Sequence, residues 1–343
     1  MMKRCSCVIL IFLLHYHAAA GQTLPINRQL FFLDETPIEV TLTTDIKKLR
    51  NDKKTPVWQT TSIIMQFSDT SIITEQIRVK PRGIYRKNNC DIAALMLDFK
   101  NASSPGLSPL KSLKLVGGCH SNASDEALLI KEYLAYKIYN FISIMSFRVR
   151  LMHVTYKDSK QKVKPYSQYA FLIEDIKDLA DRNNCVEIKN KTFNTEATNR
   201  QHINLVSIFQ YMIGNTDWSV PVRHNIKLMV PKNDTFARPY PVAYDFDYAG
   251  LVNASYAVPD ETLGTTSVTE RVYRGFGRNM DELQTNLDIF KEKKEQIMFY
   301  IKNFTLLSEN NKKGITRYLE DFYKIIDTKK SSKTVFIDNA RKE

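Results

Sequence analysis

Apolar and polar residues alternate with a period of two through residues 38–42, and residues 61–67 also read as a strand. Strand-like patterning returns over 72–80, 96–99, 113–116, 148–155 and 169–173. Successive side chains of a strand point to opposite faces, so these stretches predict strands lining a core. Ser68-Asp69-Thr70-Ser71 supplies a turn between the second and third. The period changes over 125–144, where Leu129, Tyr133, Tyr136, Ile138 and Phe141 recur near helical spacing. Asp125 and Glu126 fall in the first turn of that predicted helix, where the helix dipole favours carboxylates. A second apolar-rich helix is predicted over 203–213. The spacing of Leu, Ile, Phe and Tyr from about residue 280 to 326 predicts helix again, broken in two at Asn310-Asn311-Lys312-Lys313-Gly314. Residues 253–277, with Pro259 and several Gly, Ser and Thr, read as one long connection. No internal repeat or low-complexity segment interrupts this order. Strands with one inserted helix, followed by helices, predict an α+β protein of two lobes around a cleft. The β-rich lobe covers 21–174 and the mainly helical lobe 175–343, with Glu174-Asp175 as the hinge.

The ends change the setting. Met1-Met2-Lys3-Arg4, an apolar run over 8–14 and Ala18-Ala19-Ala20-Gly21 are the three parts of a secretory signal peptide, assigned to residues 1–20. No later segment approaches the roughly 20 apolar residues a membrane span needs. The mature chain is therefore expected to be secreted or periplasmic, with no span. Its cysteines are then Cys90, Cys119 and Cys185, which allow one disulfide. Cys90–Cys119 is the preferred pairing, because these two flank predicted neighbouring strands. Asn-x-Ser/Thr sequons at Asn101, Asn122, Asn190, Asn233, Asn253 and Asn303 are glycan acceptors in a eukaryotic secretory pathway. The 49 basic and 37 acidic residues give a net charge of +12, which attracts anions. The basic residues are dispersed and no nucleic-acid fold signature appears, so no nucleic-acid partner is expected. A nucleotide, a phosphorylated or sulfated substrate, or an acidic polymer satisfies the charge equally well.

Candidate chemistry concentrates in Gly214-Asn215-Thr216-Asp217, His224-Asn225 and Tyr244-Asp245-Phe246-Asp247. Two carboxylates and an amide on loops and strand ends are what metal-assisted phosphoryl transfer needs. Asp245 and Asp247 follow an apolar run and are expected on one face of an extended segment, where they repel unless a cation lies between them. Each residue alone also reads as a cap or turn. His120, His202 and His224 lack metal-site spacing. A carboxylate-pair hydrolase is a further reading of Asp217 with Asp245.

The order Asn-x-Asp, His-Asn, Tyr-Asp-x-Asp resembles the atypical kinases of the CotH spore-coat type and, more distantly, HipA-like kinases. The resemblance runs from about residue 73 to about 250. It implies a two-lobed protein-kinase-like fold, ATP with Mg²⁺ or Mn²⁺, and a protein or other hydroxyl-bearing substrate. Asp217 then orients the acceptor hydroxyl, while Asn225 and Asp245 bind the metal, assisted by Asp247. Asn225 follows Asp217 by eight residues, more than the protein-kinase pattern allows, so Trp218 to Arg223 must bulge outward. A kinase-like small lobe also offers a strand lysine and a helix glutamate to anchor phosphates. Lys114 and Glu132 are the candidates, with Lys100 as the rival lysine and Arg82, next to Gly83, as a further basic contact. The plain alternative is a surface lysine with a solvated glutamate, and a hairpin corner at Arg82-Gly83. A catalytically inactive binding protein of the cell envelope or extracellular space is the competing account of the whole.

Overall fold

The computed structural model describes residues 27–51, 55–67, 71–83, 90 and 94–342. The predicted signal peptide and residues 84–87 of the basic stretch after Gly83 lie outside them. Ten strands are present among the described residues: β1 (Ile38–Thr44), β2 (Gln59–Gln66), β3 (Ile72–Arg82), β4 (Ala94–Asp98), β5 (Ser112–Gly117), β6 (Val149–Asp158), β7 (Tyr166–Ile173), β8 (Cys185–Glu187), β9 (Ile226–Pro231) and β10 (Tyr240–Ala243). The helices are α1 (Arg28–Phe31), α2 (Ile46–Asn51), α3 (Ala123–Ile142), α4 (Ile176–Arg182), α5 (Arg200–Ile213), α6 (Met280–Asn303), α7 (Glu309–Ile326) and α8 (Lys329–Lys333).

The first seven strands close into a barrel in the order β1-β2-β3-β4-β5-β7-β6, and β10-β9-β8 form a separate antiparallel sheet. Antiparallel pairs build the barrel, and one parallel pair, β1 with β6 in register Ile38↔Met152, closes it. The alternation of β1 and β2 sends Ile38, Val40, Leu42, Ile63 and Met65 inward. β6 over Val149–Met152 and β7 over Ala170–Ile173 are instead buried at consecutive positions because both faces are covered. Met152, Val154, Ala170 and Leu172 face the barrel core, while Leu151, Phe171 and Ile173 join a second core made with α3, α5, α6 and α7. That helical core draws residues from both sides of residue 174.

The two-lobed kinase-like architecture expected from the sequence is therefore corrected: the sheet is a closed mixed barrel of seven strands, with helices elsewhere. Hydrophobic alternation reports which face of a strand is buried but says nothing of which edges pair. The closing β1–β6 contact joins segments more than a hundred residues apart. α3, expected as a helix inserted in a small lobe, belongs to the helical core.

A second correction concerns the last helices. The break falls between Asn303 and Glu309, where Ser308 caps α7 by accepting from Asn311 N–H. Residues 310–314 are helical, carried by the buried stripe Ile315, Leu319, Phe322, Tyr323 and Ile326. Cys90 and Cys119 are disulfide-bonded, and Cys185 is a buried free thiol. Among the described residues no helix is long and apolar enough to cross a membrane.

Candidate functional site

α5 is buried along most of its length and ends at Gly214, which takes the left-handed conformation (φ +66°) and directs the chain back under the helix. A Cβ there would lie 1.9 Å from the Tyr318 hydroxyl and 3.4 Å from Gly250 Cα, so the turn requires glycine. Asn215, buried, anchors the next step: its Nδ2 donates to Gln210 Oε1 (3.0 Å) and its Oδ1 accepts from Asp217 N–H (3.0 Å). Asp217 is thereby presented at a fixed point past the helix end.

The long step from Asp217 to Asn225 is absorbed by a small closed loop. Ser219 and His224 exchange backbone hydrogen bonds of 2.9 Å each, so Val220 to Arg223 fold outward and the two ends return together. Asn225 Nδ2 donates to both the main-chain oxygen and Oδ2 of Asp217, each at 2.9 Å. His224 Nε2 lies 2.6 Å from Asp217 Oδ1. Both carboxylate oxygens are thus held, while Asn225 Oδ1 takes no hydrogen bond from the described residues. Behind the loop, Arg274 donates to the oxygens of Thr216 and Trp218, the residues flanking Asp217.

Asp245 and Asp247 follow β10, but the extended geometry expected for them is corrected. Asp245 has φ +65°, which ends the strand, and Asp247 lies in a turn. They nevertheless approach one hydroxyl. Asp245 N–H donates to Tyr136 Oη (2.8 Å), and Tyr136 is held far above the usual phenol range by burial, with Glu132, Asp245 and Asp247 adding negative charge. Asp247 Oδ2 accepts from the Tyr256 hydroxyl at 3.0 Å. Glu132 is 1% exposed, on the face of α3 beside Gly117, Gly118 and Tyr256, so it is a buried carboxylate and not a solvated one. The helix periodicity marked Tyr136 as a core residue; its place among three carboxylates depends on long-range packing that the periodicity does not report.

The basic candidates separate. Lys114 projects from β5 into a cavity of about 500 Å³ between the barrel and the three-stranded sheet, whose other walls include Ile173, Asp175, Glu187, Arg223 and Lys227. Burial depresses its ammonium to about 8; Arg82 and Lys227 push the same way, and Asp245 and Asp175 oppose them. Arg82, at the end of β3, is therefore brought near Lys114, whereas Lys100 sits exposed in the turn after β4 and does not line this cavity. The Tyr244 ring has two ammonium groups near it, Lys114 Nζ 5.4 Å and Lys227 Nζ 6.0 Å from its centroid. Lys227, a lone cation in the apolar strand β9, was the sequence signal for the second of these. The cavity wall is braced by buried Glu174, which receives Arg182 Nε (2.9 Å) and Nη2 (3.1 Å), while Asp175 caps α4. Its size falls within the range of small-ligand sites.

One cluster of metal-ligand type, Cys119, His120 and Asp125, occurs among the described residues. Its sulfur is already bonded to Cys90 and offers no thiolate, so it does not form a thiolate metal site. The carboxylates of Asp217, Asp245 and Asp247 are not all within 4.8 Å of one another. Mg²⁺ needs only one or two carboxylates when phosphates complete its shell, and the donors here are all hard oxygens, which suits Mg²⁺ or Mn²⁺. No protein-family model matches the chain, and no curated protein is similar to it.

Proposed function

We propose that this protein transfers the γ-phosphoryl group of ATP to a hydroxyl on a protein or other acceptor, with Mg²⁺ or Mn²⁺, in the manner the CotH-type resemblance implies. The observation that carries the reading is the meeting of Asp217 and Asn225 at 2.9 Å across an eight-residue step, in a loop whose Arg223 lines the cavity that holds a depressed lysine. The reading does not require a kinase architecture, because phosphoryl transfer asks for positioning and charge, which different scaffolds supply.

In this scheme Asp217 orients the acceptor hydroxyl and takes its proton as the oxygen bonds to the γ-phosphorus and the bond to the ADP oxygen breaks. His224 and Asn225 hold the Asp217 carboxylate in place. Asn225 and Asp245, with Asp247, would hold the ion, which neutralises phosphate charge when bound. Lys114 and Arg82 would face the phosphates from the barrel side. Glu132 would act through Tyr136 and the backbone of Asp245. The Cys90–Cys119 disulfide accords with a secreted or periplasmic chain.

The test is thermal unfolding of the mature chain with ATP, with and without Mg²⁺ or Mn²⁺, for the wild type and Asp245→Ala, followed by product analysis. Ligands that bind the native state alone raise the melting temperature. A metal-dependent shift lost in the variant, with ADP and a phosphorylated acceptor, is expected. A shift without turnover would leave a nucleotide-binding protein, and no shift with any metal would end the proposal.

A further inference from the structure

A second cavity adjoins the Asp217 loop and shares no lining residue with the one that holds Lys114. It encloses about 490 Å³, and its walls include Trp218, Ser219, Phe276, Arg274, Arg341 and Lys342. Arg274 is rooted by its bonds to the carbonyls on either side of Asp217, with its guanidinium 5.8 Å from the Trp218 ring centroid. Arg341 enters from the C-terminal segment, where its N–H bonds Gly275 O (3.1 Å) and its guanidinium lies 5.3 Å from the Phe276 ring. The Arg274 guanidinium is therefore placed by backbone carbonyls and that of Arg341 by the Phe276 ring, rather than by carboxylate partners.

The acidic groups nearby are largely committed. Glu196 lines the cavity but receives Arg278 at 2.6 and 2.8 Å. Asp260 accepts from the Thr262 hydroxyl at 2.6 Å. Arg341 and Lys342 form no ion pair among the described residues. The Arg274 guanidinium is depressed by burial and by the like charge of Arg341, against the weaker pull of Asp260 and Asp217. Cations gathered in one walled pocket repel until an anion enters, and planar guanidinium groups match oxyanions in a bidentate way.

We propose that this pocket binds an oxyanion, a phosphate, sulfate or carboxylate carried by the acceptor, and so turns the acceptor's hydroxyl toward Asp217. Its role on the acceptor side rests on the phosphoryl-transfer reading; the anion site itself does not. The pocket offers its own reporter, because the chain has two tryptophans and Trp58→Phe leaves Trp218 alone.

The experiment titrates the full mature Trp58→Phe chain with inorganic phosphate, sulfate and acetate, without ATP or metal, at constant ionic strength held with chloride. A saturable change in Trp218 emission is expected with at least one of them, and the tightest identifies the oxyanion class. Adding Arg341→Gln should weaken it about tenfold, the loss of a charge-assisted contact, at an unchanged melting temperature. Adding Asp245→Ala should leave anion binding intact, so loss of ATP binding in that variant would bear on phosphoryl transfer and not on this pocket. No saturable response to any of the three, or equal affinity in the Arg341→Gln chain, would overturn the proposal.

Discussion

Lys114 supplies a prediction with a worked magnitude. Its ammonium titrates at about 8 in the ligand-free protein, because burial and the nearby Arg82 and Lys227 disfavour the charge. Phosphates select the charged form, so the apparent nucleotide affinity is reduced by the fraction of chains in which that form is present. Below pH 7 nearly every chain is protonated and affinity should be flat. At pH 9 about one in eleven is, so binding should weaken about tenfold, and further with each added unit. Calorimetric titration with ATP at fixed Mg²⁺ from pH 6.5 to 9.5 measures this. Lys114→Arg stays charged throughout and should flatten the profile, while Lys114→Met should bind weakly at every pH. The same group makes a ligand-free statement. Between 8 and its unfolded value of 10.5 the folded chain binds fewer protons than the unfolded chain, so wild-type stability should rise with pH relative to Lys114→Met. An ATP affinity that stays level to pH 9.5, or an identical decline in Lys114→Arg, would refute Lys114 as the phosphate anchor.

Two further outcomes concern the scaffold. Gly214→Ala should destabilise the protein by about 2–4 kcal/mol in chemical denaturation, from the left-handed backbone and the displaced Tyr318 hydroxyl, which now donates to Thr269 O. Pairing it with Tyr318→Phe should relieve the hydroxyl clash, leaving ring carbon Cζ at 3.1 Å, but not the backbone cost. His202, packed edge-on against Tyr240, is pushed down to about 4 by burial, so the folded state resists its protonation. Its contribution is complete above pH 6.5 and is lost as the pH falls toward 4; His202→Gln should show a shallower acid loss by about one proton in pH-dependent unfolding.

Most strands and helices were legible because local period reports burial, and the two terminal residues of any one element matter little to it. The closed barrel was not, since pairing of β1 with β6 leaves no mark in either segment beyond apolar character. The site was legible in residue type and order. Asp217 and Asn225 were named from their type and order despite a spacing longer than the kinase pattern, but the Ser219–His224 bridge that reunites them is a property of the folded loop. Lys114, inside one short apolar run, and Lys100, at the end of another, look alike in sequence, and only the β4–β5 register, with Met96 opposite Lys114, puts one in a cavity and leaves the other in an exposed turn. Arg274 lay in the stretch read as one long connection, in the place of a substrate loop, and its grip on the Asp217 backbone has no local signature.

Strain gives an independent reason to treat this region as functional. Seven non-glycine residues have positive φ among those described, and three of them, Arg223 at 52°, Asn225 at 51° and Asp245 at 65°, belong to the loop and strand end around Asp217. Such conformations cost a side chain about 1 kcal/mol relative to glycine, and less for Asn and Asp, whose short polar side chains bond locally. Asp245 is the sharpest case, being exposed, with its N–H bond to Tyr136 made by the backbone and available to any residue. Asp245→Gly should therefore leave stability within about 1 kcal/mol of wild type, or raise it, while the metal-dependent ATP shift disappears. Denaturant unfolding and the thermal shift, measured on the same preparation, separate the two effects. If the variant lost several kcal/mol of stability yet kept its nucleotide response, Asp245 would be a structural turn residue and the strain would have no functional meaning.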